Sequence, residues 1–540
     1  MWLPNMRQRV SAIPRYYPSL ALATAVFLAW VGSARGQSVG PLRPLWGELE
    51  PGPFAVGFRV LYRIDRSRTW DPTPDSIARG EFGRPVRVSV WYPARRGPPS
   101  TAMPYRDYVH LAAPDAYFRR LDSMLEARNI ENLKGIFVGT EIDYPKLLQL
   151  AVAARLGAAA APGRFPLVVY SQGWNSGLQH DNSVLAEYLA SHGYVVVAVP
   201  QVGELSADLT LRINPVDLEV QMRDVEFAMA VAEELPFVEP RRVALLGWSM
   251  GGVVALLVSG RNGNIDAVVG LDASFRARDF VKLVLSSPYF DIRRLRAPVL
   301  ALQSGNAKYV SGQDDRVVDS LRLADRYVGR IADVTHGDFS DFAQIAKLYP
   351  VAILDRTAEQ ASRGHAVICR YVLAFLDGTL KADRQALAFV TGTPEQNGLP
   401  DGLVTIVHRE AATVPSEQEF AVMLARDGLE RTQERLADLV ARYPGLVIVR
   451  QPALTQLGYA LLRQHRTELA IQVFRLLTTA YPTSADGFDS LADGYLALAD
   501  SLGARRAYQR VLELLPADSS LDPSGREELR RRAKERLGIP

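Results

Sequence analysis

From Phe165 onward, short continuous apolar runs alternate with helical ones: "PLVVYSQG", a helical "HDNSVLAEYLASHG", "YVVVAVPQ", a helix over roughly Val216 to Leu235, "RVALLGWS", a helix to Ser259, "IDAVVGLD" and "APVLALQSG". Runs that are apolar at every position, rather than every second one, belong to strands covered on both faces, and helices between strands supply the crossovers of a parallel sheet. An α/β architecture built on a mainly parallel sheet is therefore expected. Ligands of such sheets gather at the carboxyl ends of the strands. With 48% hydrophobic and 22% charged residues over 540 positions, the chain has the composition of a globular protein with a large core and more than one domain.

Upstream lie "GPFAVGFRVLYRIDRSR" and an alternating strand "PVRVSVWYPA", with Val86, Val88, Val90 and Tyr92 on one side. Residues 101–163 read as a helical insertion, whose stretch "AYFRRLDSMLEARN" puts Tyr117, Leu121, Met124 and Leu125 on one helix face. Packing on the main domain is the plain expectation for that face; a substrate cap or a lipid-facing surface is the alternative, which leaves membrane-surface contact open. At the N-terminus Arg7, Arg9 and Arg15 precede an apolar core, Leu20 to Val31, and the small residues Ala34-Arg35-Gly36. This is the pattern of a signal peptide over residues 1–36, cleaved after Gly36, and it implies export. The apolar core is shorter than the ~20 residues of a spanning helix, and retention as an anchor is the alternative. The formal net charge of +3 excludes nucleic acid as the main partner. The single cysteine, Cys369, excludes an internal disulfide and a cysteine metal cluster.

Past about residue 380 the texture changes. Residues 381–415, containing "TGTPEQNGLPDGL", read as a turn-rich connector between a catalytic domain at 41–380 and an all-α region at 416–540. Within the latter, Leu457 aligns with Leu491, Ala470 with Ala504, Phe474 with Tyr508 and Pro482 with Pro516, each pair 34 residues apart. This period, with small residues where helices cross and proline after the second helix, resembles the tetratricopeptide repeat. It implies a helical solenoid able to hold a protein partner or a second copy of the chain, with packing on the catalytic domain alone as the alternative. Residues 418–444 read as a degenerate earlier repeat, and Ser524 with Glu527 as a capping box opening a charged terminal helix.

The segment "VALLGWSMGG" places Ser249 between a buried strand and an apolar helix. A turn that lifts a serine above a strand end strains its backbone, and Gly247 and Gly251 let the helix pass close to the strand. The serine then sits at a helix N-terminus, where free N–H groups favour developing negative charge. This suits an acyl-transfer nucleophile. Such a serine needs a histidine to take its proton and an acid to orient that histidine, in the chain order serine, acid, histidine. Two histidines follow before the connector. His336, in the loop "IADVTHGDFSDF", is preferred to His365, at the start of a helix that packs on the sheet; a cation site with Asp338 and Asp341 is the competing reading of His336. Asp272, ending "AVVGLD", is preferred as the acid to Asp314 and Asp315, which lie well past the end of "APVLALQSG". The oxyanion donors are expected to be the backbone N–H groups of Met250 and of Trp174, in the loop of "VVYSQGWNSG". No metal or organic cofactor is required.

Together "GPFAVGFR", "VSVWYPA", "PLVVYSQGWN" with "LASHGYVVVAVP", "GWSMGG", "GLDAS" 23 residues beyond Ser249, and "HGDFSDF" resemble the platelet-activating factor acetylhydrolase and dienelactone hydrolase-like branch of the α/β-hydrolases, over about residues 50–380. The resemblance implies Ser249 as nucleophile, Asp272 as acid and His336 as base. It departs at Gln172, where relatives carry histidine, and in the added helical region. The expected function is an exported serine esterase acting on small esters or short-acyl phospholipids. The alternatives are a serine peptidase on the same triad, or an interaction protein whose hydrolase domain is an inactive scaffold.

Overall fold

A computed structural model describes residues 44–540 except 72, 98–102, 110–112, 114, 137–142, 175–180, 206–211, 288–290, 292–293, 307–311 and 349–355, with the backbone alone at 132–136. The expected signal segment lies outside the described residues.

Ten strands form one sheet: β1 (Ala55–Thr69), β2 (Gly83–Ala94), β3 (Ala154–Leu156), β4 (Phe165–Ser171), β5 (Val195–Ala198), β6 (Val238–Trp248), β7 (Ala267–Leu271), β8 (Val299–Ser304), β9 (Arg326–Ile331) and β10 (Val404–Arg409). Their spatial order is β10-β9-β8-β7-β6-β4-β5-β2-β1-β3. The central pairs from β5 through β4, β6, β7 and β8 to β9 are parallel, whereas β2 pairs with β5 and with β1 antiparallel. The order reverses between β4, which follows β3 in sequence, and β6, so the crevice expected at such a switch lies at the tips of these two strands.

Side-chain alternation divides the core in two. Val168, Tyr170, Ala244, Leu246 and Val269 face one apolar layer, completed by the helix Ala358–Leu380 through Val367, Tyr371 and Phe375. Leu167, Val169, Val243, Leu245 and Val268 face the other, filled by the helices Pro215–Glu233 and Met250–Arg261 through Met222, Val225, Val253 and Leu257. Both faces are covered, which is why these strands read as unbroken apolar runs. Val86, Val88, Val90 and Tyr92 share one face of β2 as their spacing predicts, yet every residue of that strand is buried.

Three expectations need correction. The insertion is not wholly helical: Ala154–Leu156 pairs in parallel with Val56–Phe58 of β1, a strand too short to leave a periodic signature. Its helix Ala116–Ile136 turns Tyr117, Leu121 and Leu125 onto Trp70 and Val202. That face is spent on packing, which is the plain expectation for it, rather than on a cap or a lipid-facing surface. The segment 381–415 is more than a connector, because Val404–Arg409 adds an antiparallel edge strand against Arg326–Ile331; only the partner strand supplies its hydrogen bonds, so its own sequence is weakly patterned. The last helix, Pro523–Leu537, is capped by Asp522, whose carboxylate accepts from the Gly525 N–H at 2.6 Å, with Pro523 in the first turn. Aspartate one residue before a first-turn proline displaces Ser524 as the cap.

Beyond Ser416 the described chain is helical and shares a separate apolar core. The helix Glu417–Arg442 breaks at Gly428, whose φ of 81° no helix interior holds. Two helix pairs follow, Gln451–Arg463 with Thr467–Ala480 and Ala485–Ala497 with Ser501–Leu514. Ala470 and Ala504, and Phe474 and Tyr508, are buried at matching positions of the second helices. Leu323 of the catalytic part packs in the same core, and Arg322 donates to the Pro444 carbonyl at 2.8 Å.

Candidate active site

Ser249 stands where β6 ends and the helix Met250–Arg261 begins, with φ 55° and ψ −121°. This conformation is held from both sides: the Ser249 N–H donates to Leu271 O at 3.0 Å, and its carbonyl accepts from Ser274 N at 2.9 Å. Strain of this kind costs about 1–3 kcal/mol and persists only where the surroundings over-determine it. The flanking glycines serve close approach as expected. A Cβ at Gly251 would lie 1.9 Å from the Ser171 carbonyl oxygen, and one at Gly247 would lie 2.2 Å from the Gly251 backbone. The helix start is thereby pressed against the tips of β4 and β6.

Asp272 follows β7 in a left-handed conformation, φ 41°, with its N–H donating to Leu302 O at 2.8 Å. One carboxylate oxygen accepts from Ser304 N at 3.0 Å, and the other lies 2.7 Å from His336 Nδ1. His336 opens a short 3-10 turn, His336–Phe339, stabilised by a capping box in which the Asp338 carboxylate accepts from Thr335 N at 2.6 Å. Thus Asp272 and His336, 64 residues apart, meet at the carboxyl ends of β7 and β9.

Two further residues fix this pair, and the sequence offered no signal for either. Ser304, the last residue of β8 and fully buried, donates its N–H to Asp272 and its hydroxyl to Val334 O at 2.7 Å. It ties the turn of Asp272 to the loop of His336. Trp248 stacks on the His336 ring, centroids 5.2 Å apart and planes 28° apart, while its Nε1 donates to His336 O at 3.1 Å. The residue before the serine thus braces the imidazole. The Ser249 hydroxyl, half-buried, makes no hydrogen bond to a described residue; such contacts are often open without substrate.

Met250 is the first residue of its helix, so its N–H has no intrahelical acceptor. Trp174 lies in the turn after β4 with its side chain 42% exposed. Before it, Gln172 is fully buried, its carbonyl accepting from Gln201 Nε2 at 2.7 Å. The rejected candidates are occupied elsewhere. His365 is buried in the helix Ala358–Leu380, with Nδ1 3.2 Å from Gln344 Nε2, and desolvation lowers its pKa to about 4. Asp315 pairs with Arg276 and Asp314 with Arg316. Asp338 pairs with Arg356 at 2.5 Å, and Asp341 accepts from Ser183 Oγ at 2.6 Å, so both carboxylates beside His336 already have partners.

A mainly parallel sheet with a strained serine between strand and helix, and an aspartate–histidine pair at later strand ends, defines an α/β-hydrolase fold with an added C-terminal all-helical region. Residues 152–337 match the Dienelactone hydrolase family, a span that contains Ser249, Asp272 and His336. Among solved structures the chain is similar to a ferulic acid esterase from Streptomyces cinnamoneus, at 23% identity, over 67% of this chain and 98% of that one, with a TM-score of 0.48. No curated protein matches the chain.

Proposed function

We propose that this chain is an exported serine esterase that cleaves carboxylic esters through an acyl-enzyme. Ser249 Oγ attacks the ester carbonyl as His336 Nε2 takes its proton. The carbonyl oxygen, now negative, accepts from the Met250 and Trp174 N–H groups, each worth about 2.7–4 kcal/mol of barrier. His336 returns the proton to the leaving alcohol, and water repeats the sequence to free the acid. Asp272 holds the Nδ1 proton and offsets the imidazolium charge. The face of His336 stacked on Trp248 gains further from a cation beside an indole. No metal or organic cofactor enters this sequence of steps.

The observation that carries the reading is the 2.7 Å contact between Asp272 and His336 Nδ1, beside a serine held at positive φ. It leaves Nε2 as the ring nitrogen available to the serine. The family matched over residues 152–337 is one of hydrolases, which agrees. The substrate proposed is a small ester or a short-acyl phospholipid. The helical region, with its 34-residue period, is proposed as a tetratricopeptide-like module for a protein partner.

A fluorophosphonate probe should label Ser249. On a panel of simple esters, short-acyl phospholipids and peptides, turnover should fall by up to ~10⁶ in Ser249→Ala. No labelling would favour an inactive scaffold whose function resides in the helical region. Peptides cleaved faster than esters would favour a peptidase on the same residues.

A further inference from the structure

A narrow cleft opens beside the two proposed oxyanion donors. Trp174 and Met250 line it together with Leu218, Val254, Gln201 and Gln221, whereas Trp248, Asp272 and His336 do not. The leaving oxygen must reach His336 to be protonated, so the group directed into this cleft is the acyl substituent. Its walls are mostly apolar, but its floor is not. Gln221, on the helix Pro215–Glu233, is 1% exposed, and among the described residues neither its Nε2 nor its Oε1 has a hydrogen-bond partner.

A buried carboxamide with neither end paired is disfavoured, and a ligand oxygen that accepts from or donates to it recovers the loss. Arg212 and Asp217 also line the cleft; their opposite charges leave no net field selecting an anion or a cation. The free space is about 10 Å³, what one water-sized group fills. We infer that this cleft is the acyl subsite and that Gln221 selects esters of compact acids bearing a hydroxyl or carbonyl oxygen, an inference that rests on the esterase reading above. Only that uncharged oxygen enters the space beside the Gln221 amide, and the carbon chain stays at the exposed edge of the cleft by Trp174 and Ile213.

The test compares kcat/KM for matched p-nitrophenyl esters, β-hydroxybutyrate against butyrate and levulinate against pentanoate, in wild type, Gln221→Leu and Gln221→Met. Wild type should prefer at least one oxygenated ester by about tenfold or more, since a site built to bond a substrate oxygen discriminates against the analogue lacking it. In both variants that ratio should fall to about one. Each variant should melt at or above the wild-type temperature, because an unpaired buried amide has been removed; a structural role for Gln221 would lower it. The inference is overturned if wild type shows no preference, or if a preference survives in the variants. Failure of the esterase reading is separable: Ser249→Ala would then hydrolyse all four esters as fast as wild type.

Discussion

Asp272 and Ser249 both hold positive φ although neither is glycine, and each does so where a strand stops and a proposed catalytic group must project. Replacing Asp272 with asparagine keeps the shape of the turn but supplies a neutral amide that can present its N–H to His336 and select the wrong tautomer. The expected result is a fall in kcat of about 10⁴ with little change in melting temperature, measured by steady-state ester hydrolysis and a thermal melt. Gly251→Ala tests the packing beneath the serine. Its new Cβ would sit 1.9 Å from a backbone oxygen that cannot rotate away, so the strand tip or the helix must shift. A loss of about 1–3 kcal/mol in denaturant unfolding is expected, together with reduced fluorophosphonate labelling. Ser249, Gly247 and Gly251 were legible because the chemistry of the turn restricts their identity. Ser304 and Trp248 were not, because a serine ending one strand and a tryptophan ending another become partners of Asp272 and His336 only when distant loops arrive beside them.

The helix Ala358–Leu380 carries the second of the two histidines that lie between Ser249 and residue 381. His365 is fully buried there, and desolvation pulls its pKa down from 6.5 to about 4. In the folded protein it stays neutral until about pH 4, whereas the unfolded chain takes up the proton below about 6.5. Stability is therefore lost as pH falls from about 6.5 towards 4. His365→Leu should flatten that acid-side slope in chemical denaturation measured between pH 7 and 4; a variant with the wild-type slope would contradict the assignment. The sequence placed this helix and its packing on the sheet correctly from apolar periodicity. It gave no comparable sign of β10, in which only Val404 is buried, so that no apolar pattern stands out among the turns.

At the scale of the molecule, the helical region meets the catalytic part through the segments that flank β8, Arg296 before it and Arg322 and Leu323 after it. Leu323 is buried in the helical core, Arg322 donates to Pro444 O, and Arg296 donates to Val414 O at 3.0 Å. Leu323→Ala should cost about 2–5 kcal/mol of this packing. It should appear as faster limited proteolysis between residues 410 and 416, with ester hydrolysis little changed, since Ser249, Asp272 and His336 are not among the residues of that seam. Equal cleavage rates in wild type and variant would show that the seam does not hold the region in place.

By itself the sequence determined the parallel sheet, the turn that strains Ser249, and the 34-residue helical period, because each is written in local spacing: continuous apolar runs, glycines at fixed offsets, a repeat. Only the tertiary structure decided that Asp272 and His336 stand 2.7 Å apart, that Trp248 and Ser304 brace them, and that the insertion helix spends its apolar face on Trp70 and Val202. Those outcomes depend on which surfaces of distant segments are buried against one another, and local spacing along the chain does not encode that choice.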